Sequence, residues 1–275
     1  MSQAYIFNAI RREAALAAEL LASGATIIGK ADYKYHAYYE QAFFSLSTGL
    51  ERACKLLIII NYALLNNGQF PSNSDIKKYK HDLIALFEET KRIAESRESL
   101  REINLPCLEI HKNIIYVLSK FSNNITRYYN IDLLTGGTKI EQLDSPQKEW
   151  FQKVVIPILE IHYKDKLFKR HVERAKNISY ILEYFTRINV TTELDETLQD
   201  IYSASLHDLA TTFAKPYVRM YTLQIIRFIS LLAIDISNDL YKTNINYIPY
   251  ISDFFRIFNN DDKTFFRRKT WSIYS

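Results

Sequence analysis

Residues 45–72 read SLSTGLERACKLLIIINYALLNNGQFPS, and residues 77–89 read KKYKHDLIALFEE. The first stretch repeats apolar residues in steps of three and four through Leu46, Leu50, Ala53, Cys54 and Leu57, the period of one helix face. It ends at Asn66-Asn67-Gly68, where Gly and Asn favour a helix stop. The second stretch starts a new amphipathic helix near His81-Asp82-Leu83. Glu51, Arg52 and Lys55 therefore ride on a long, otherwise apolar helix, and a His-Asp helix start follows it.

Working outward, helical signals recur along all 275 residues. A first helix is expected over residues 3–22, stopping at Ser23-Gly24. A second is expected over 32–66, with Asp32 as N-cap and Gly49 as a weak point or a site of close packing. Residues 70–75 form a joint. Helices follow at 82–94 and 108–128, and 130–143 is a loop. Asp144-Ser145-Pro146 opens another helix, in which Pro157 marks a kink or break. Thr191-Thr192, followed by Glu193, Asp195 and Glu196, reads as a helix start running to about 214. Lys215-Pro216 ends it, and 217–240 is a further apolar helix. No period-2 strand pattern is evident. The fold class is all-α, a helical bundle of about seven to nine helices. Its organisation reads as 1–130 for one bundle and 144–275 for a helical extension packed on it, or as one domain.

Composition narrows the classes of function. Six Gly and six Pro leave few turns, and the net charge of +4 permits contact with nucleic acid without requiring it. Cys54 and Cys107 have no metal-ligand spacing and read as small core residues. No secretory signal and no uninterrupted membrane span is read; the expected location is cytoplasmic. There is no phosphate-binding glycine loop and no HExxH or GxSxG motif, so no cofactor and no metal is expected.

Three places can carry chemistry. Lys80-His81-Asp82 is either an anion-binding helix mouth or a capping Asp beside a solvated Lys and a packed His. Glu51 and Lys55, four apart, are either a surface helix pair or part of a groove with Arg52. Arg127-Tyr128 places a guanidinium and a stackable ring at a helix end, to hold a base or phosphate or to cap the core. The basic stretch 164–176 reads as a solvated face or a phosphate-binding face. The tail, with Phe265, Phe266, Arg267, Arg268, Lys269 and Trp271, grips nucleic acid, docks on a partner or a membrane surface, or only packs.

The segments GLERACKLLIIINYALLNNGQFPS and KYKHDLIALFEE, with LSKFSNNITRYYNIDLLTGG and DSPQKEWFQKVVIPILEIHY further on, resemble the HEPN superfamily of all-α proteins, in particular its larger bacterial members. The resemblance covers about residues 32–163. It implies a HEPN-like core, homodimerisation, and work on RNA or nucleotides in prokaryotic defence or stress response, including toxin–antitoxin and antiviral systems. It also implies a metal-independent ribonuclease in degenerate form. Active members carry an Arg followed four to six residues later by a His. None of the six histidines here follows an arginine at that spacing: Arg101 is too far before His111, and Arg170 adjoins His171. Whether the chain is an enzyme is therefore left open. If it cuts RNA, His81 is the acid/base, and Arg52, Lys55, Lys80, Arg127 and Tyr128 are the nucleic-acid contacts. The alternative is a non-enzymatic scaffold or antitoxin-like protein that holds a protein partner.

Overall fold

The structure, a computed structural model, describes residues 2–100, 106–123, 125–136 and 143–273. The expected all-α class holds. Helices α1 (Gln3–Ile28) and α2 (His36–Leu65) form an antiparallel pair. Two glycines let them approach. A Cβ on Gly24 would lie 2.6 Å from Leu46 Cγ, and one on Gly49 would lie 3.0 Å from Leu21 Cγ. Gly24 is thus a contact point inside α1 and not its C-cap, which is why the helix runs six residues beyond the expected 22. Gly49 fills the close-packing role. Asp32 does not cap α2. Its carboxylate accepts from the Lys34 backbone N–H at 2.9 Å and from Lys215 Nζ at 2.6 Å.

Helix α2 stops where expected. Asn67 and Gly68 take left-handed φ values of 51° and 86°, and Gly68 is the residue type that tolerates this. The short α3 (Asn73–Lys77) occupies the expected joint, held by a Ser72 capping box. Helices α4 (Leu83–Glu95) and α5 (Glu109–Ser122) pack on α2. The expected helix over 108–128 breaks at 123, and α6 (Tyr129–Leu134) falls inside the expected loop. Residues 137–142 of that loop, and residues 101–105, lie outside the described residues.

Ser145 caps α7 (Pro146–Trp150) by accepting from the Lys148 N–H. A π-helical turn over Phe151–Val155 leads into α8 (Ile156–His162), with Pro157 in its first turn. Pro157 has no N–H to offer the carbonyl four residues earlier. That carbonyl, on Lys153, accepts from Asn113 Nδ2 at 2.9 Å. The expected break at Pro157 therefore appears as a wide turn whose spare acceptor is satisfied from α5.

The larger correction lies beyond α9 (Asp165–Leu182). Thr191 does not start a helix. Strands β1 (Val190–Thr191) and β2 (Thr197–Leu198) pair antiparallel, with Val190 opposite Leu198, and Asp195 takes φ 64° between them. Helix α10 (Ile201–Tyr241) begins only after Asp200 accepts from the Ser203 N–H. It then runs 41 residues through Pro216, about 60 Å at 1.5 Å per residue. A proline in a helix interior costs about 3 kcal/mol. Burial of Ala214 and Val218 on either side of it, and the Lys215–Asp32 bond, offset that cost. Helix α10 is long and apolar enough to cross a membrane, but 72% of its most apolar window is buried against the rest of the protein.

One continuous core runs from Ile10 to Trp271 and includes residues of α1, α2, α4, α5 and α10. The tail joins it through α11 (Ser252–Phe255) and α12 (Asp262–Arg267). Phe255, Phe258, Phe265 and Trp271 are buried, so the aromatic part of the tail packs into the core, while Arg267 and Lys269 stay exposed. Several helices are only one or two turns long, so the helical segments outnumber the seven to nine expected. Cys54 is buried as expected, and burial pushes its thiol up to about 12. Cys107 is exposed, contrary to the expectation of a core position. Arg97, almost buried, clamps the end of α10 through Asp235 (2.5 Å) and Asp239 (2.7 Å) and reaches Asn61 on α2 (2.7 Å).

Candidate functional site

Helices α1, α2 and α5 and the turn before α4 enclose a cavity of about 490 Å³. Arg52, Lys55, His81 and Arg127 all line it, together with Glu13, Glu51 and Ser122. The local sequence explains the convergence. Glu51, Arg52 and Lys55 share the side of α2 that faces away from its core stripe. Asp82 caps α4 by accepting from the N–H groups of Ile84 and Ala85, and this sets the residue before it, His81, at the cavity mouth.

Glu51 is the centre of the arrangement. Its side chain is 15% exposed, and that of His81 is 62% exposed. Lys55 Nζ donates to Glu51 Oε1 at 2.6 Å, His81 Nδ1 meets the same oxygen at 3.1 Å, and Ser122 Oγ donates to Oε2 at 3.3 Å. Burial raises the Glu51 carboxyl, but hydrogen bonds and charge from Lys55 and His81 outweigh it and hold the group below its ordinary range. An ionised Glu51 can accept a hydrogen bond from Nδ1–H of His81, and in that tautomer of the neutral ring Nε2 carries the lone pair. His81 is thereby oriented by a carboxylate in an accessible cavity.

The remaining contacts qualify the phosphate-binding expectation. Arg52 donates to both oxygens of Glu13 at 2.8 and 2.9 Å. Lys55 also donates to the Lys80 carbonyl at 2.6 Å. The cavity wall thus holds three fixed cations, Arg52, Lys55 and Arg127, against two carboxylates, Glu13 and Glu51. Arg127 lies 4.9 Å from the centre of the Phe44 ring and 5.7 Å from that of Tyr128. Tyr128 is half exposed and lines a neighbouring cleft of about 300 Å³ that shares Arg127. Lys80 is not in the cavity wall. It contributes its carbonyl from a left-handed backbone of φ 46°, a conformation that costs a side-chain-bearing residue about 1 kcal/mol.

Two partners in this site went unread in the sequence. Glu13 lies 39 residues from Arg52 and Ser122 lies 71 from Glu51, and neither stands in a motif. A second cluster also went unread. Tyr39 donates to Glu193 Oε1 at 3.1 Å, and His207 Nε2 meets Glu193 Oε2 at 2.8 Å. Burial, then the Glu193 charge and hydrogen bond, holds the Tyr39 hydroxyl well above its ordinary range, so it stays a donor. Glu193, expected in a helical first turn, instead ties the β-hairpin to α2 and α10. Among the described residues no group of His, Cys, Asp and Glu could hold a metal ion. Comparison with known proteins finds no similar protein: no family model, no curated protein and no solved structure matches this chain.

Proposed function

We propose that the chain is a HEPN-like protein of prokaryotic defence or stress response that binds RNA or nucleotide in the Glu51–His81 cavity and cleaves RNA without a metal. The observation that carries this is the 3.1 Å contact between His81 and Glu51 inside a cavity that also holds Arg52, Lys55 and Arg127. The chemistry follows from those groups. His81 Nε2 takes the proton of a ribose 2′-hydroxyl. The 2′-oxygen attacks the adjacent phosphorus to form a cyclic phosphate, and the 5′-oxygen leaves with a proton from water. Arg127, which lies against aromatic rings and forms no salt bridge among the described residues, stabilises the charge that builds on phosphorus. Arg52 and Lys55 join it when phosphate displaces their carboxylate partners. Tyr128 offers a ring on which a neighbouring base stacks.

The Arg-to-His spacing of active family members is absent; a Glu–His pair stands in the cavity in its place. Homodimerisation belongs to the same proposal, on the strength of the resemblance, and sedimentation of the chain at several concentrations tests it. The principal experiment incubates the chain with a labelled single-stranded RNA in excess chelator. Cleavage with a cyclic phosphate end, lost in a folded His81→Ala variant, supports the proposal. RNA binding that weakens as salt rises, without cleavage, reduces the proposal to RNA binding. No binding at low salt favours the protein-binding alternative.

A further inference from the structure

Helix α9 and the residues after it carry a surface that the cavity does not use. Val172, Ala175 and Ser179 recur at helical spacing and are the better-buried positions of the helix, which packs on α10. The same spacing turns Lys166, Lys169, Arg170, Arg174 and Lys176 away from α10, and all five are exposed. None of the five forms a salt bridge among the described residues. Only Asp165 and Glu173 offset them on that helix. This resolves the basic stretch into one solvent-facing side.

The end of the same side is apolar. Tyr180 is 81% exposed, Ile181 63%, Tyr184 87% and Phe185 85%. Tyr180 stands four residues beyond Lys176, and Ile181 stands seven beyond Arg174, so these side chains share the cationic face. Large apolar groups this open, clustered within six positions, mark a surface that something covers.

We propose that this face of α9, with Tyr184 and Phe185 beyond it, docks on an anionic lipid bilayer. The four apolar side chains enter the headgroup boundary, and the five cations lie against anionic headgroups. Two weak signals on one element, a cationic row and an apolar tip, are what stable attachment to a bilayer surface requires. A second copy of the chain is a poorer occupant, since pairing α9 with α9 sets its cations against their like. A nucleic acid would use the cations and the rings but leaves Ile181, which has no π face for stacking, uncovered.

Flotation of the full chain tests this, with vesicles of phosphatidylcholine alone and of phosphatidylcholine with phosphatidylserine at roughly three to one. The chain should rise with the phosphatidylserine vesicles only, and less so at high salt. Replacing Lys169, Arg170 and Lys176 by Gln together should lower partition about a hundredfold, at about fivefold per cation. Tyr184→Ser with Phe185→Ser should lower it at least about tenfold. Both sets lie at exposed positions and should leave the thermal unfolding midpoint unchanged; if the double substitution lowers it, Phe185→Ser alone serves. The proposal is overturned if the wild-type chain does not float, if the apolar substitutions leave flotation intact, or if they dissociate an oligomer that forms without lipid.

Discussion

Glu51 and His81 stand 30 residues apart in the chain and 3.1 Å apart in space. The first comes from the middle of α2 and the second from the turn that precedes α4. Removing either should separate catalysis from folding. His81→Ala should lower RNA cleavage by about 10²–10⁴-fold, the usual contribution of a positioned acid/base. Glu51→Gln leaves a hydrogen-bonding group of the same shape but no charge, so its loss should be smaller. Single-turnover rates on one RNA, with circular dichroism as the folding control, decide this. Equal rates in wild type and His81→Ala remove the histidine from the mechanism.

The acid limb of stability should reflect one buried and two half-buried imidazoles. Burial outweighs the hydrogen bond that His111 Nε2 donates to Gln224 Oε1 at 2.8 Å and holds His111 below its ordinary value. His162 and His171 are also depressed, first by burial and then by nearby cations. In each case the unfolded chain binds the proton more readily. The stabilisation is therefore complete above about pH 6.5 and is lost as pH falls toward the depressed values. Urea midpoints should decline across that window, and His111→Gln should make the decline shallower. A midpoint independent of pH there contradicts the assignment.

Close approach of α1 and α2 makes Gly24 intolerant of a side chain. A Cβ would meet Leu46 at both its Cγ, at 2.6 Å, and its backbone nitrogen, at 3.0 Å. Gly24→Ala should cost about 1–3 kcal/mol by overpacking, although alanine is the better helix former. Chemical denaturation measures this; a gain in stability would mean that the helices can separate freely.

Arg97 is 9% exposed, and its guanidinium pairs with both Asp235 and Asp239. Arg97→Leu leaves Asp235, which is nearly buried, without its cation, while Asp239 keeps only Lys242 at 3.0 Å. The expected loss is about 3–5 kcal/mol. Adding Asp235→Asn should recover part of it, and no recovery would show that the clamp acts through packing alone.

Much of the fold was legible because its signals are local. The Asn66-Asn67-Gly68 stop, the Asp82 cap and the Ser145-Pro146 start each depend on residues a few positions apart, and each lies where the pattern put it. The misreadings at Gly24 and Pro216 share one cause. Each is a local helix breaker overruled by burial against a distant helix: Leu46 for Gly24, and α1 and α2 for the middle of α10. Thr191-Thr192 with acids after it looks the same before a helix as before a hairpin, and Glu193 is claimed by Tyr39, 154 residues away. In the site, the residue types were legible and their partners were not. Arg52 stands in the expected groove, but its partner Glu13 lies 39 positions away and outside any motif. Lys80 read as a phosphate contact, whereas it is its backbone carbonyl that reaches the cavity, through Lys55.

Thr26, in the first helix, accepts a hydrogen bond from the backbone N–H of Trp271 at 2.8 Å, 245 positions later. A ribosome adding about 5–20 residues per second takes on the order of 10–50 s to travel that distance. Throughout that time the part of α1 that the tail covers stays open to water or to a chaperone. The molecule can begin to fold as it emerges, but the first helix and Trp271 meet only after synthesis has passed that residue. A chain released early, short of Trp271, would keep its helices and leave that seam unsealed.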